Sequence, residues 1–222
     1  MADIPLSDLT VWCVCNGTKY ADSDVHTLKG MVARHLDQPH IFRCLADREI
    51  PGIDTLISPL NWPGWWSKLL LFRVSHGQNL YFDLDVVITG QIDGLVSDQL
   101  SMASNWAQSG HGGCQSSVMS WGRDYSFIPD SFDIGQLNEP ERGNCGSYGS
   151  KGLWGDQEFI TGLMGEPGGL VKPMRGIKSY KYHCQQSLPG DARVVCFHGP
   201  PKPNQVHDEW VVSARSSTAT AA

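Results

Sequence analysis

Between Leu9 and Ala46 the hydrophobic period changes twice, and this alternation limits the possible folds more than any other feature of the chain. Leu9 to Cys15 is a short apolar run rich in β-formers, closed by the turn pair Asn16-Gly17. From Asp24 to Leu36 there is no proline, Ser23 or Asp24 can cap the start, and Val25, Leu28, Val32 and Leu36 fall on one helical face. His40 to Ala46 then reads as a second strand. A strand, a helix and a strand in that order favour a parallel sheet covered by helices. With 222 residues and 41% hydrophobic content the chain can bury one core and is short for two, so one α/β domain is expected over residues 1–212.

The pattern continues past this unit. Pro63 suits the first turn of a helix carrying Trp65, Trp66, Leu69, Leu70 and Phe72. Asn79 to Ile88 reads as a strand, as do Ser101 to Asn105, Gln115 to Trp121 and Arg193 to His198, with a helix over Asp156 to Met164. Arg123 to Lys151, rich in Gly, Ser, Asn and Pro, is expected to be a long loop of the kind that lies over a site. Residues 213–222, small and polar apart from Arg215, are expected to form a disordered tail.

Bulk properties exclude some functions. A formal net charge of -6 argues against coating nucleic acid by bulk electrostatics, although a local basic patch can still meet phosphates. Such a patch is offered by Lys172, Arg175, Lys178 and Lys181, interleaved with Tyr180 and Tyr182, a combination suited to nucleic-acid backbone and bases as well as to an ordinary solvated strand. Seven cysteines without a Cys-x-x-Cys pair fit neither a disulfide scaffold nor a zinc knuckle and point to a reducing cytoplasm. Met1 to Pro5 lacks the charged and apolar regions of a secretory signal, and no apolar run nears the roughly 20 residues that cross a bilayer. Eight tryptophans suit stacking on sugars or bases, but core packing uses them more often.

The chemistry concentrates where Asp83 and Asp85 interrupt Leu80-Tyr81-Phe82 and Val86-Val87-Ile88. Two carboxylates in an apolar strand need compensation, and period-two geometry would point both to one face. At the C-terminal edge of a parallel sheet a shared Mg²⁺ or Mn²⁺ would neutralise them. Two other outcomes are open. The strand can end at Phe82 and leave both acids as solvated turn residues, or Asp83 can be the nucleophile of a haloacid-dehalogenase-type phosphatase. In those enzymes the motif usually sits on the first strand, whereas here it follows two strands and two helices.

Ser67-Lys68-Leu69-Leu70-Leu71-Phe72 followed by Leu80-Tyr81-Phe82-Asp83-Leu84-Asp85-Val86-Val87-Ile88 resembles the lysine-bearing helix and Asp-x-Asp strand of glycogenin-like retaining glycosyltransferases. Gln115-Ser116-Ser117-Val118-Met119, Gly155-Asp156-Gln157-Glu158-Phe159 and Phe197-His198-Gly199-Pro200-Pro201-Lys202-Pro203 resemble three later motifs of that family in the same order, and Cys15-Asn16-Gly17 with Tyr20 resembles its first loop. The similarity runs from about residue 10 to residue 205, and the small size looks closer to a compact phage-encoded branch. Gln115 and Ser117 stand where the family usually has Asn and Gly, His198 and Lys202 are closer together, and Asn204 replaces a frequent Trp.

The resemblance implies a single-domain GT-A (Rossmann-like) nucleotide-sugar-binding fold with a mostly parallel central sheet. It further implies a metal-dependent hexosyltransferase using a UDP-linked donor and Mn²⁺ or Mg²⁺. Asp83, Asp85 and His198 would hold the metal. Asn16, Gly17 and Tyr20 would meet the base, Lys68, Gln115 and Ser116 the donor, and Gly199 and Lys202 the diphosphate. Asp156 and Gln157 would stand beside the anomeric carbon. A plain N-cap for Asp156, an exposed lysine for Lys68 or Lys202 and a strand-end histidine for His198 are the bland alternatives. The phage-like character and the basic segment suggest a hydroxymethylated pyrimidine in DNA as acceptor, flipped from the stack; a glycan, lipid-linked glycan or protein is the other option. A non-catalytic sugar-binding module would use the tryptophans without needing the acids, His198 and Lys202 together.

Overall fold

The computed structural model describes residues 8–106, 113–139 and 145–216. Met1 to Pro5, part of the 123–151 segment and the last six residues of the expected tail lie outside them. Strands β1 (Leu9–Cys15), β2 (Ile41–Ala46) and β3 (Asp54–Ile57) pair in parallel, with helix α1 (Asp22–His35) connecting the first two. β4 (Gln78–Phe82) returns to the other side of β1, also in parallel, with Trp12 opposite Tyr81. β7 (Cys114–Trp121) runs antiparallel to both β4 and β6 (Ser101–Ser104), and β8 (Lys172–Pro173) closes the edge parallel to β6. The resulting seven-stranded sheet has the order β3-β2-β1-β4-β7-β6-β8 and is mostly parallel. A small second sheet has the order β5-β10-β9, from β5 (Val86–Ile88), β9 (Ile177–Ser179) and β10 (Val194–Cys196).

Alternation along the central strands divides the core into two layers. Val11, Cys13, Leu80 and Phe82 pack with Val25, Leu28, Met31 and Val32 of α1, while Trp12 and Tyr81 pack on the opposite face. Trp12 keeps its indole paired despite burial by donating to Asn79 Oδ1 of the neighbouring strand at 2.9 Å. The second face is covered by a 3₁₀ helix (Gly64–Leu70) running into α2 (Leu71–Val74), and by α4 (Asp156–Met164). Pro63 therefore precedes this unit as its N-cap rather than opening an α-helix. The reason lies in the seven consecutive buried residues from Trp66 to Phe72, which a one-faced surface helix cannot bury.

The expected continuous strand Asn79–Ile88 is broken. β4 ends at Phe82, and Val86–Ile88 leaves for the second sheet, pairing antiparallel with β10. Arg123–Lys151 is less uniform than a loop, with short helices α3 (Phe127–Asp130) and a 3₁₀ turn Ile134–Gln136. The chain continues through α5 (Tyr180–His183) to α6 (Glu209–Ser216), so residues 213–216, placed in the tail by composition, are helical. Among the described residues no helix is long and apolar enough to cross a membrane.

Gly64 ties the 123–151 segment to the core. Its φ of +52° is left-handed, and an added Cβ would lie 1.9 Å from Cys145 Sγ. Gly64→Ala is expected to lose at least about 1–2 kcal/mol from backbone conformation alone, with a further steric loss that Gly64→Ala/Cys145→Ala restores. Urea denaturation of the two variants checks this; a single variant as stable as the wild type would refute it.

Candidate active site

The chain leaves β1 toward β2 and β3 on one side and comes back to β4 on the other, so the strand order reverses between β1 and β4. Loops at the C-terminal ends of these strands diverge there and open a crevice. Asn16 and Gly17 follow β1, Asp47 follows β2, and Asp83 follows β4. Because Val118 pairs with Phe82, Gln115 to Ser117 of β7 stand level with the acids. Asp156 and Gln157 enter at the start of α4, and His198 to Lys202 follow β10. All of these segments line one cleft of about 720 Å³.

Lys68 is at its base. The side chain is 5% exposed, which removes the solvated alternative. Its Nζ donates to Asp83 Oδ1 at 2.9 Å, contacts Ser116 Oγ at 3.3 Å and lies 3.4 Å from Asp156 Oδ2. Tyr81 also donates to Asp83 Oδ1, at 2.5 Å. Burial would lower the Lys68 pKa, but Asp156 and Asp83 outweigh it and hold the ammonium raised and charged. Burial pushes Asp83 up, yet Lys68 and the Tyr81 hydroxyl more than offset it and leave the carboxyl lowered. Asp156 ends raised because burial dominates over attraction to Lys68. Gly155, not Asp156, occupies the N-cap position, and Asp156 Oδ2 is buried with no hydrogen-bond partner.

Asp85 is 7% exposed and faces a different group of residues. Its Oδ2 accepts from Tyr20 Oη at 2.9 Å and from Lys202 Nζ, which also contacts the Phe197 carbonyl at 3.3 Å. The expectation that both acids share a strand face therefore fails. Period-two alternation requires an unbroken strand, and here the Asp83 amide is tied to Ser117 of β7 while the Asp85 carbonyl accepts from Phe197 beyond β10. Of the solvated-turn alternative, the strand end at Phe82 holds, but the solvation does not, because both acids are engaged by cations. Tyr20 spends its hydroxyl on Asp85, and burial together with Asp85 and Asp83 raises its pKa, so it stays a neutral donor.

His198 lines the same cleft, with Nε2 2.7 Å from Ser179 Oγ and 3.3 Å from Trp106 Nε1. An indole N–H only donates, so Nε2 accepts there. Burial and the nearby Lys181 ammonium lower the His198 pKa and favour neutral imidazole. Among the described residues no three His, Cys, Asp or Glu side chains close into a metal-binding cluster. The three expected ligands share a cleft but each is held by other groups: Asp83 by Lys68 and Tyr81, Asp85 by Tyr20 and Lys202, His198 by Ser179 and Trp106.

Their chemistry nonetheless suits a hard divalent cation, since two carboxylates and a neutral imidazole supply oxygen and nitrogen donors. Charge counting adds to this. The lining carries five carboxylates (Asp47, Asp83, Asp85, Asp156, Glu158) against three ammoniums (Lys19, Lys68, Lys202), so an anionic ligand needs positive charge brought in.

The remaining expected residues are also placed. Gln115 takes the Ser117 amide on Oε1 at 2.6 Å and reaches the Ser117 hydroxyl with Nε2 at 2.9 Å, which fixes the serine next to Asp83. The Gly17 amide donates to Asp47 Oδ2 at 2.7 Å, and Asn16 Oδ1 is a buried acceptor without a partner. Trp65 presents another unpartnered atom, its buried Nε1, against Gly155. Trp65 was read only as a helix residue and Glu158 only as part of a motif, while Trp154, Asp47, Trp106 and Ser179 were not placed at the site; the general excess of tryptophan hinted at some of them. Of the basic segment, Lys172 and Arg175 are exposed, Lys178 is paired with Asp191 at 2.7 Å, and Lys181 stands beside Gly199. The four cations therefore do not act as one unpaired strip.

No protein-family model matches the chain, and no curated protein matches it. Solved structures do. The galactosyltransferase LgtC, in complex with donor and acceptor sugar analogs, aligns with a TM-score of 0.55 at 16% identity, covering 87% of this chain and 88% of that one. The glycosyltransferase GlyE of Streptococcus pneumoniae TIGR4 gives 0.59 at 15% identity, over 87% of this chain and 55% of GlyE. The bifunctional glycosyltransferase WbbM in its apo form gives 0.63 at 8% identity, over 99% of this chain and 51% of WbbM. The chain thus has the α/β fold of GT-A glycosyltransferases, with its cleft at the strand-order reversal, and spans about half the length of GlyE and WbbM.

Proposed function

We propose that this chain is a glycosyltransferase that moves a hexosyl group from a UDP-linked donor to a hydroxyl acceptor, with retention and with Mn²⁺ or Mg²⁺ bound. The observation that carries the proposal is the divided charge cluster in the cleft: Lys68 between Asp83 and Asp156 on one side, Asp85 with Lys202 on the other. Glycosyl transfer breaks the bond from the anomeric carbon to a diphosphate oxygen and forms one to the acceptor oxygen. Negative charge grows on the leaving diphosphate while the sugar ring becomes positive, and groups fixed in advance around both charges lower the barrier.

Asp83, Asp85 and His198 would hold the cation, once Lys202 gives up Asp85 and Trp106 and Ser179 give up His198 Nε2. The cation would supply electrostatic stabilisation of the diphosphate. Lys202, released from Asp85, would face the same phosphates as a point charge, with the Gly199 backbone beside them. Asn16 Oδ1 complements a ring N–H such as that of uracil. Asp156, whose Oδ2 makes no hydrogen bond and has only the longer ion pair to Lys68 at 3.4 Å, and Gln157 would meet the anomeric centre or the acceptor hydroxyl. Lys68 keeps Asp83 and Asp156 charged and in place, and with Ser116 borders the donor sugar. LgtC, which shares the fold, has been seen with donor and acceptor sugar analogs.

The phosphatase alternative loses its support, because Asp83 follows the fourth strand and is held by Lys68 and Tyr81 rather than standing free as a nucleophile. For the acceptor, Lys172 and Arg175 are the exposed cations that would meet the backbone of a hydroxymethylated DNA, while Lys178 is spent on Asp191. A transfer assay with labelled donor separates hydroxymethylated DNA, unmodified DNA and oligosaccharides.

A thermal-shift screen of nucleotide sugars with and without Mn²⁺ tests the core of the proposal. At 100 times Kd the matching donor should raise the melting temperature by roughly 5–10 °C, with the larger rise in Mn²⁺. Absence of any shift, or sugar-induced shifts without the nucleotide, would favour a binding module instead. Release of phosphate from simple phosphoesters would revive the phosphatase.

A further inference from the structure

We infer that Lys181 is a second diphosphate-binding lysine of the cleft, an inference that rests on the cleft being a nucleotide-sugar site. β9 runs parallel to β10 with Ser179 level with Cys196, so α5 begins beside the residues that follow β10. Ser179 caps α5 by accepting from the Tyr182 amide and holds His198 Nε2 at 2.7 Å, while the Tyr182 ring stacks on the His198 ring with centroids 5.6 Å apart. Lys181 lies between these two anchors. Its Nζ comes within 3.2 Å of the position a Gly199 Cβ would occupy. Gly199 lines the cleft and has a left-handed φ of +67°, so the missing side chain serves both its conformation and the approach of the ammonium.

Charge pairing singles this lysine out. Lys68 is committed to Asp83 and Asp156, Lys202 to Asp85, and Lys19 lies 5.0 Å over the Tyr20 ring. Lys181 is half-buried, and among the described residues no carboxylate pairs with it. A half-buried ammonium in such a place is stabilised by an anion, and a diphosphate seated at Gly199 would bring one. Lys181 also lines a separate groove with Gln185, Gln186 and Ser187, so it borders the cleft at Gly199 from the outside.

Calorimetric titration in Mn²⁺ of the wild type, Lys181→Met and Lys181→Arg with UDP and with uridine tests the assignment. Lys181→Met should weaken UDP on the order of 10–100-fold, the range for a lost charge-assisted contact. Uridine affinity should stay unchanged, and Lys181→Arg should keep most of the UDP affinity. Wild-type binding of UDP with equal binding by Lys181→Met overturns the role of Lys181 alone. Equal weakening of UDP and uridine also overturns it, since the loss would not follow the phosphates. A wild type that binds neither ligand overturns the nucleotide-sugar site and this inference together.

Discussion

Lys68→Met is expected to destabilise the protein by about 3–5 kcal/mol at pH 7, the cost of leaving the buried Asp156 and the partly buried Asp83 without their partner. For a chain of this length that corresponds to a fall of roughly 6–20 °C in melting temperature. The size of the effect follows from geometry. Lys68 and Asp156 are 5% and 6% exposed, Lys68 touches both Asp83 and Asp156, and neither acid has another cation within ion-pair distance among the described residues. Methionine fills the stem's volume but supplies no charge, so the whole penalty is electrostatic.

The pH dependence has a definite sign. In the wild type the lowered Asp83 contributes stability above its unfolded pKa, and this is lost as pH falls through the folded value. The raised Asp156 acts oppositely, favouring the fold most at low pH and losing that contribution as pH rises through its folded value. Without Lys68 both acids are easier to protonate than to keep charged. The gap between wild type and variant should therefore narrow as pH falls from 7 toward the ordinary carboxylate range near 4. Adding Asp156→Asn to Lys68→Met should recover part of the stability at pH 7, because one orphaned charge is removed. Melting curves of the three proteins at both pH values decide it. Equal stability at pH 7, or a gap that widens on acidification, would show that Lys68 does not neutralise the two acids.

Why the sequence exposed some of this site and hid the rest can be read from particular residues. β1, α1, β2 and α4 were legible because each satisfies its own local period, and the structure bounds α4 at Asp156 and Met164 as the periodicity did. The break at Phe82 stood only as an alternative to a continuous strand, because apolar residues continue after the acids. What ends the strand is the pairing of Val86–Ile88 with β10, far along the chain, and no local pattern encodes a change of sheet. The burial of Lys68 was hidden for the same reason. A lysine among leucines reads as the wet edge of a helix until Asp83 and Asp156 arrive from distant elements to neutralise it. Tyr182 was noticed only as part of a basic stretch and Ser179 was given no role, although both contact His198. The residues that motif order named line one cleft; the partners of each needed the fold.

Asp85→Asn should lower donor turnover by about 10²–10³-fold, the loss typical of removing one preorganised electrostatic group, while leaving the melting temperature within a few degrees of the wild type. Asparagine keeps the shape and still accepts from Tyr20, whose hydroxyl lies 2.9 Å from Oδ2. It removes the charge that Lys202 pairs with, but that lysine is 27% exposed, so solvent compensates most of the loss and the stability change stays below about 1 kcal/mol. The contrast with Lys68→Met is the useful part: two lysine centres in one cleft, Lys68 between two acids holding the fold and Lys202 on Asp85 poised for exchange. If Asp85 takes the cation and frees Lys202 for the phosphates, the variant should need a higher Mn²⁺ concentration for half-maximal rate and should bind UDP more weakly in Mn²⁺ than the wild type does. Initial rates of donor hydrolysis across a Mn²⁺ series, with melting curves alongside, measure both. A variant that reaches wild-type turnover at the same half-saturating Mn²⁺ would remove Asp85 from the metal site and leave its pairing with Lys202 as a structural bond.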